Sequence, residues 1–148
     1  MNIRRSTVGA ALRYNLTDLP PNAAAEGSEM NEVILKQFEQ PDETREFEKG
    51  KFEIITIGGL TIGRATYQPG WKWSQHVGPM AGTPFCEVEH VGLVISGRAT
   101  AAMQGGEVYE LGPGRLFYIP AAPHDSWVVG DEPYVSLHFL GVDSYAKS

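Results

Sequence analysis

Short runs of apolar, β-branched and aromatic residues recur along the chain from residue 32 onward, and polar or turn-forming residues separate them. Runs of this length, bounded by glycine and proline, are typical of β-strands. Strands are predicted at residues 33–38, 52–57, 60–67, 90–95, 98–103, 108–111, 115–119, 126–129 and 134–140. Most of the connections are short enough to be hairpins, so the strands should be mainly antiparallel. The pattern therefore predicts an all-β sandwich or barrel without a long helix.

Two segments depart from this pattern. Residues 1–30 show no sustained period of 2 or 3.6, and they predict an N-terminal extension that is either flexible or packed on a partner subunit. Residues 31–148 then form the β domain. Within it, residues 68–86 make a long irregular connection, and a loop of this length in a compact domain is usually functional.

The composition of the chain limits which kinds of molecule it is expected to bind. A chain of 148 residues fits one domain, and its formal net charge of −6, without a dense Lys/Arg run, gives no electrostatic footprint for nucleic acid or for an anionic membrane. No apolar stretch is long enough to span a bilayer. We expect the partner to be a small molecule or another protein. The single cysteine cannot form an internal disulfide, which favours a reducing compartment and hence the cytoplasm.

The metal-binding residue types are concentrated in two short segments. The chain has four histidines and one cysteine, and His76, Cys86, His90 and His124 fall within glycine- and proline-rich stretches. Neutral imidazole and thiolate are ligands that suit a divalent transition metal, zinc above all. These four residues are the predicted metal ligands.

The spacing of two candidates sets a geometric condition. Cys86 and His90 are four residues apart, which on a straight strand would separate their Cα atoms by about 13 Å. Ligand bonds to zinc are only about 2.0–2.3 Å long. A shared ion therefore requires the chain to turn or bulge at residues 87–89.

These residues resemble the motifs of the cupins, which are small jelly-roll β-barrels. The second cupin motif has a glycine, five residues, a proline and then a histidine, and Gly114, Pro120 and His124 match it. The resemblance covers about residues 50–141. It implies a single-domain, antiparallel jelly-roll barrel in which His124 is a metal ligand.

The first cupin motif matches in frame but differs in its residues. Counting back from Gly97 places His90 where the family has a glutamate, and Cys86 where it has a histidine. The resemblance makes His76, in the preceding loop, the natural fourth ligand. The usual cupin set suits iron, manganese or nickel, whereas a thiolate and an additional imidazole shift the preference toward zinc.

Other residues near the motifs are candidates for a pocket or for contacts with the metal ligands. His138 lies on a predicted strand and could point into the barrel or out of it. Glu87 and Glu89 flank the proposed ligands and could accept an imidazole N–H or act as a general base, although solvated carboxylates are the more common case at such positions. The aromatic candidates for an apolar pocket are Trp73, Tyr118 and Trp127.

The predicted function is metal binding with an unassigned substrate. An accessible ion would support Lewis-acid or metal-water chemistry, as in a hydrolase, isomerase or lyase acting on a small polar metabolite. Four protein ligands would instead close a zinc site, as in a non-catalytic binding or sensory module. An iron-dependent dioxygenase is the third alternative. Cupins commonly pair through their sheets, so we expect a homodimer, with the strand at 33–38 as a natural edge for the contact.

Overall fold

The computed structural model describes residues 31–147. Strands and two single-turn helices follow one another as β1 (Glu43–Phe47), β2 (Gly50–Ile57), β3 (Leu60–Tyr67), α1 (Trp73–His76), α2 (Gly78–Ala81), β4 (His90–Ser96), β5 (Ala99–Met103), β6 (Val108–Leu111), β7 (Leu116–Ile119), β8 (His124–Asp125) and β9 (Tyr134–Leu140). The predicted all-β class is confirmed. Neither helix has the length and apolar character needed to cross a membrane. The predicted extension at residues 1–30 lies outside the described residues.

Two antiparallel sheets make up this part of the chain. The larger sheet has the order β1-β2-β3-β9-β4-β7, and the smaller has the order β6-β5-β8. In the larger sheet β9 pairs with both β3 and β4, so the last of the described strands lies between two strands that come much earlier in the sequence. This arrangement brings the motif strands β4 and β7 to the end of the sheet farthest from β1.

The core is one buried cluster that draws on both sheets. Phe52 and Tyr67 come from the larger sheet, and Ala99 and Ala101 come from the smaller. Residues on β9 show the alternation expected of a strand with one buried face, since Tyr134, Ser136 and His138 are buried. His138 therefore points into the core, which settles the choice that the sequence left open.

The prediction of a strand at residues 33–38 is wrong. Residues 33–37 have no regular secondary structure, and Leu35 is 89% exposed. The outer strand of the larger sheet is instead β1, which pairs with β2. Residues 33–38 therefore offer no edge strand for dimerisation, and the homodimer stays a prediction that rests on the cupin resemblance.

The strand predicted at 126–129 is also corrected. The regular strand here is β8, and the residues after it form single bridges to different partners, Trp127 to Lys72 and Val128 to Ala99. The alternation of apolar residues predicted a strand, but Trp127 and Val128 each bridge to a different segment, so no continuous ladder of hydrogen bonds forms. It ties the irregular loop to the smaller sheet.

Candidate metal centre

Cys86, His90 and His124 meet in the interior of the domain. Their ligand atoms all lie within 4.8 Å of one another. Each side chain is 2–3% exposed. Cys86 and His124 are brought side by side by an isolated antiparallel bridge, with two backbone hydrogen bonds of 2.9 and 3.0 Å between them. A thiol and two imidazoles from separate segments thus form one buried cluster.

The chain makes the turn that a shared ion requires. Residues 87–89 have no regular structure, and β4 begins only at His90. The Cys86 Sγ atom consequently lies 3.5 Å from His90 Nε2. At this distance the sulfur and the imidazole nitrogen form a hydrogen bond in the metal-free protein.

The same distance fits a tetrahedral ion. With a Zn–S bond of about 2.3 Å and a Zn–N bond of about 2.05 Å, a tetrahedral angle separates sulfur and nitrogen by roughly 3.6 Å. An octahedral angle with the same bonds would give only about 3.1 Å. The cysteine and histidine are therefore spaced for a tetrahedral metal without rearrangement.

The tautomer of His124 is fixed by the backbone. Its Nδ1 atom lies 2.8 Å from the carbonyl oxygen of Ala122, which only accepts hydrogen bonds. Nδ1 therefore carries the proton, and Nε2 keeps its lone pair for a ligand. Metal-binding histidines are commonly held in this way, with the second ring nitrogen donating to a carbonyl.

His138 adds a third imidazole beside the cluster. Its ring centroid lies 5.4 Å from that of His90, and its Nε2 lies 3.0 Å from the Ser136 hydroxyl oxygen. Its Nδ1 and that of His90 are buried without a hydrogen-bond partner among the described residues. His138 does not belong to the set of ligand atoms within 4.8 Å. His138 therefore lies beside the proposed ligands, and its Nδ1 atom is available for a further hydrogen bond.

A cavity of about 30 Å³ contacts the cluster. It has room for an ion and a few non-hydrogen atoms. Its lining consists of Tyr67, Trp71, Trp73, Cys86, His90, Leu111, Phe117, Ile119, His124, Ser126, Tyr134, His138 and Tyr145. None of these described residues is an aspartate, glutamate, lysine or arginine, so the cysteine thiolate is the one anionic group that the lining would offer a bound ion. The buried Asp125 carboxylate acts on Cys86 and His124 from outside the lining.

Burial keeps the cluster neutral in the absence of metal. It raises the pKa of the Cys86 thiol to about 11. It also holds the pKa of His90 well below its usual range, with His138 and His124 adding to the effect, and it lowers the pKa of His124. The imidazoles therefore offer lone pairs at neutral pH, whereas the thiol must lose a proton before it can bind a metal.

We expect the metal-free protein to lose stability in mild acid. Burial lowers the pKa of His138 to about 4, against about 6.5 in an unfolded chain. The folded state then binds fewer protons than the unfolded state, so the stability is complete above pH 6.5 and is lost as the pH falls from there toward 4. His138 alone should cost about 2 kcal/mol between pH 7 and pH 5.

Urea unfolding of chelator-treated protein at the two pH values measures this loss. His138→Gln removes the titrating group, and the pH dependence should become shallower in that variant. An unchanged pH dependence in His138→Gln would contradict the assignment to this residue.

The structure does not bring His76 to the cluster. The residue ends the single-turn helix α1, and its Nδ1 accepts a hydrogen bond of 2.9 Å from the backbone N–H of Lys72. It is absent both from the ligand-atom group and from the cavity lining. The helical turn fixes the imidazole against its own backbone, which sequence spacing could not show.

The other predicted pocket residues divide into two groups. Trp73 and His138 line the cavity, whereas Glu87, Glu89, Tyr118 and Trp127 do not. Glu89 accepts a hydrogen bond of 2.9 Å from the exposed Tyr118 hydroxyl. Glu87 lies next to Cys86 and borders a neighbouring pocket with it. The general-base role of either glutamate stays a prediction.

Tyr145 is a residue of the site that the sequence analysis did not identify. This residue follows the last strand, yet it is 3% exposed and its ring lies 5.2 Å from that of His90, edge to face. Its hydroxyl contacts the Tyr67 hydroxyl. Arg45 holds the segment in place by donating to the backbone carbonyls of Val142 and Tyr145. The C-terminal segment therefore closes one side of the cavity.

Comparison with solved structures identifies the fold. No family model matches the sequence, and no curated protein matches it. A protein with a double-stranded β-helix domain from Klebsiella pneumoniae is 15% identical, with a TM-score of 0.51 over 80% of this chain and 91% of that one. The polyketide cyclase RemF from Streptomyces resistomycificus is 17% identical, with a TM-score of 0.52 over 72% of this chain and 78% of that one.

A third similar structure is the oxalate decarboxylase of Bacillus subtilis. It is 22% identical, with a TM-score of 0.50, and the match covers 80% of this chain but 35% of the decarboxylase. At these identities the likeness shows the fold alone. It confirms the predicted all-β, antiparallel cupin-like fold, and it leaves the substrate and the reaction open.

Proposed function

We propose that this protein binds one divalent transition metal ion through Cys86, His90 and His124, and that it acts on a small polar metabolite at the ion. The observation that carries the proposal is the buried convergence of the three ligand atoms within 4.8 Å. The 3.5 Å separation of sulfur and nitrogen supports tetrahedral geometry, and the thiolate in the donor set favours zinc over iron, manganese or nickel.

Three protein ligands would leave a fourth tetrahedral position for water or substrate, which is the usual pattern of catalytic zinc sites. His76 lies outside the group of ligand atoms that are within 4.8 Å of one another, so we assign that position to water or substrate. When bound, the ion would polarise a carbonyl group or lower the pKa of a water molecule, which is chemistry suited to a hydrolase, isomerase or lyase. His138 would hold a polar group of the metabolite or of water beside that position through its unpartnered Nδ1.

A non-catalytic binding or sensory module is the second candidate. The small cavity and the nearly complete burial of the cluster favour it, because a larger metabolite cannot enter without movement of the lining. An iron-dependent dioxygenase is the alternative if the metal is iron. The cytoplasmic location stays a prediction.

Metal analysis of untagged protein purified without chelator tests the proposal. We expect about one zinc ion per chain in the wild type, and loss of the ion in Cys86→Ala and in His90→Ala. His76→Ala is the matched control, because this variant removes an imidazole close in sequence to the cluster but outside it. It should keep the ion.

Each alternative has its own result. Loss of the ion from His76→Ala would overturn the three-ligand site and restore the four-ligand set predicted from the sequence. Iron with oxygen consumption would favour the dioxygenase. A metal-free wild type in zinc-containing medium would contradict the proposal.

A further inference from the structure

Two indole N–H groups on the cavity wall have no partner. Trp71 and Trp73 are 1% and 4% exposed, and the Nε1 atom of each is buried without a hydrogen-bond partner among the described residues. Buried donors without a partner are rare in native proteins, and each one calls for an explanation. Both side chains line the cavity that contacts the metal cluster.

The protein holds both tryptophans firmly in place. The Trp71 ring stacks on the Tyr67 ring, with centroids 3.7 Å apart and an angle of 7° between the planes. The backbone carbonyl of Trp71 accepts a hydrogen bond of 3.1 Å from Val128, and the backbone N–H of Trp73 donates one of 2.8 Å to Ser126. The stacking orients the Trp71 indole, and the backbone hydrogen bonds hold both residues at the cavity wall. Their partner must come from outside the described residues.

The chemistry of the cavity indicates which partner fits. An indole N–H only donates, so the partner must offer acceptor atoms. A divalent ion held by one thiolate and two neutral imidazoles keeps one unit of positive charge, and no acidic side chain lines the cavity to balance it. A monoanion with oxygen acceptors would satisfy both the charge and the donors.

We propose that the cavity is a binding site for a small monocarboxylate, whose carboxylate oxygens accept hydrogen bonds from the Trp71 and Trp73 indoles. This inference rests on the proposed metal centre for the charge, and it deepens that proposal by naming the ligand class. The volume of about 30 Å³ restricts the ligand to a few non-hydrogen atoms beside the ion. Acetate is a suitable probe.

Nuclear magnetic resonance of the zinc-loaded, 15N-labelled protein tests the inference directly. The chain has three tryptophans, so the spectrum should contain three indole N–H signals. Acetate should shift the signals of Trp71 and Trp73 and leave that of Trp127 in place, because Trp127 does not line the cavity. Acetamide, the neutral counterpart of acetate, should cause much smaller shifts. Equal shifts with acetamide, or none with acetate, would overturn the carboxylate site.

Substitutions give a second readout, the acetate dissociation constant. Trp71→Phe and Trp73→Phe each remove one donor but keep an aromatic ring, and each should weaken acetate binding about tenfold, as expected for a hydrogen bond to a charged group. Trp127→Phe is the matched control, and it should change the constant less than about twofold. If either cavity variant does not fold, the wild-type spectra still decide the question.

Metal content measured on the same samples separates this inference from the proposed function. One zinc per chain with unmoved indole signals would overturn the carboxylate site and leave the metal centre standing. If no metal binds, acetate is titrated into the metal-free protein. Shifts of the two cavity indoles would then support the carboxylate site without the ion, and their absence would overturn it.

Discussion

The affinity for Zn²⁺ is expected to rise about tenfold for each unit of pH across the neutral range. The Cys86 thiol, with its pKa raised to about 11 by burial, is protonated in the metal-free protein at neutral pH. Each ion must therefore displace one proton from sulfur, and the thiolate fraction grows tenfold per pH unit. His90 and His124 displace none, because burial lowers the pKa of both imidazoles and leaves them neutral. The predicted slope of log affinity against pH is thus close to one.

Competition with a chelator of known affinity, at a series of pH values, measures this slope. Cys86→Ala should bind zinc far more weakly, with a slope near zero above pH 7. His124→Ala should also bind weakly but keep the slope of one, which separates loss of a ligand from loss of the titrating group. A flat profile in the wild type would show that sulfur does not bind the ion.

Much of the fold could be predicted because its strands alternate in polarity and end at turn residues. The bounds of β3, β6 and β9 agree with the predicted strands. β1 was missed because its sequence, ETREF, is mostly charged, and its strand character comes from pairing with β2. Residues 33–38 show the reverse case: they are mostly apolar, but no strand among residues 31–147 pairs with them and they remain irregular. Both errors have the same cause, because the pattern of a single segment does not show which other strand it pairs with.

The residues of the candidate site also differ in whether local sequence could identify them. Cys86, His90 and His124 could be proposed from residue type and motif frame, and the structure does place them together. His76 could not be judged in this way, because a helical turn directs its ring to its own backbone. Tyr145 carried no signal at all, since its position depends on a C-terminal segment that Arg45 anchors across the fold. Local sequence thus indicated the ligand types, and long-range contacts decided which residues meet.

Phe52→Ala is expected to cause a large loss of stability. The Phe52 side chain is fully buried, and its ring contacts Tyr145 and His138 edge to face, with centroids 4.8 and 5.4 Å away. A Cβ atom at Gly63 would lie 2.2 Å from this ring, so the neighbouring strand leaves space only for the phenyl group. Removing the ring should leave a cavity and cost about 3–5 kcal/mol in the free energy of unfolding.

Phe139→Ala is the matched control for this loss. Phe139 follows His138 on the same strand but is 43% exposed, so its removal opens no internal cavity and should cost less than about 1 kcal/mol. Urea unfolding of the two metal-free variants measures the difference. Because the Phe52 ring supports His138 and Tyr145 and not the cysteine, the folded fraction of Phe52→Ala should still bind zinc. Equal losses of unfolding free energy in the two variants would contradict the assignment of the Phe52 ring to the core that supports the cavity.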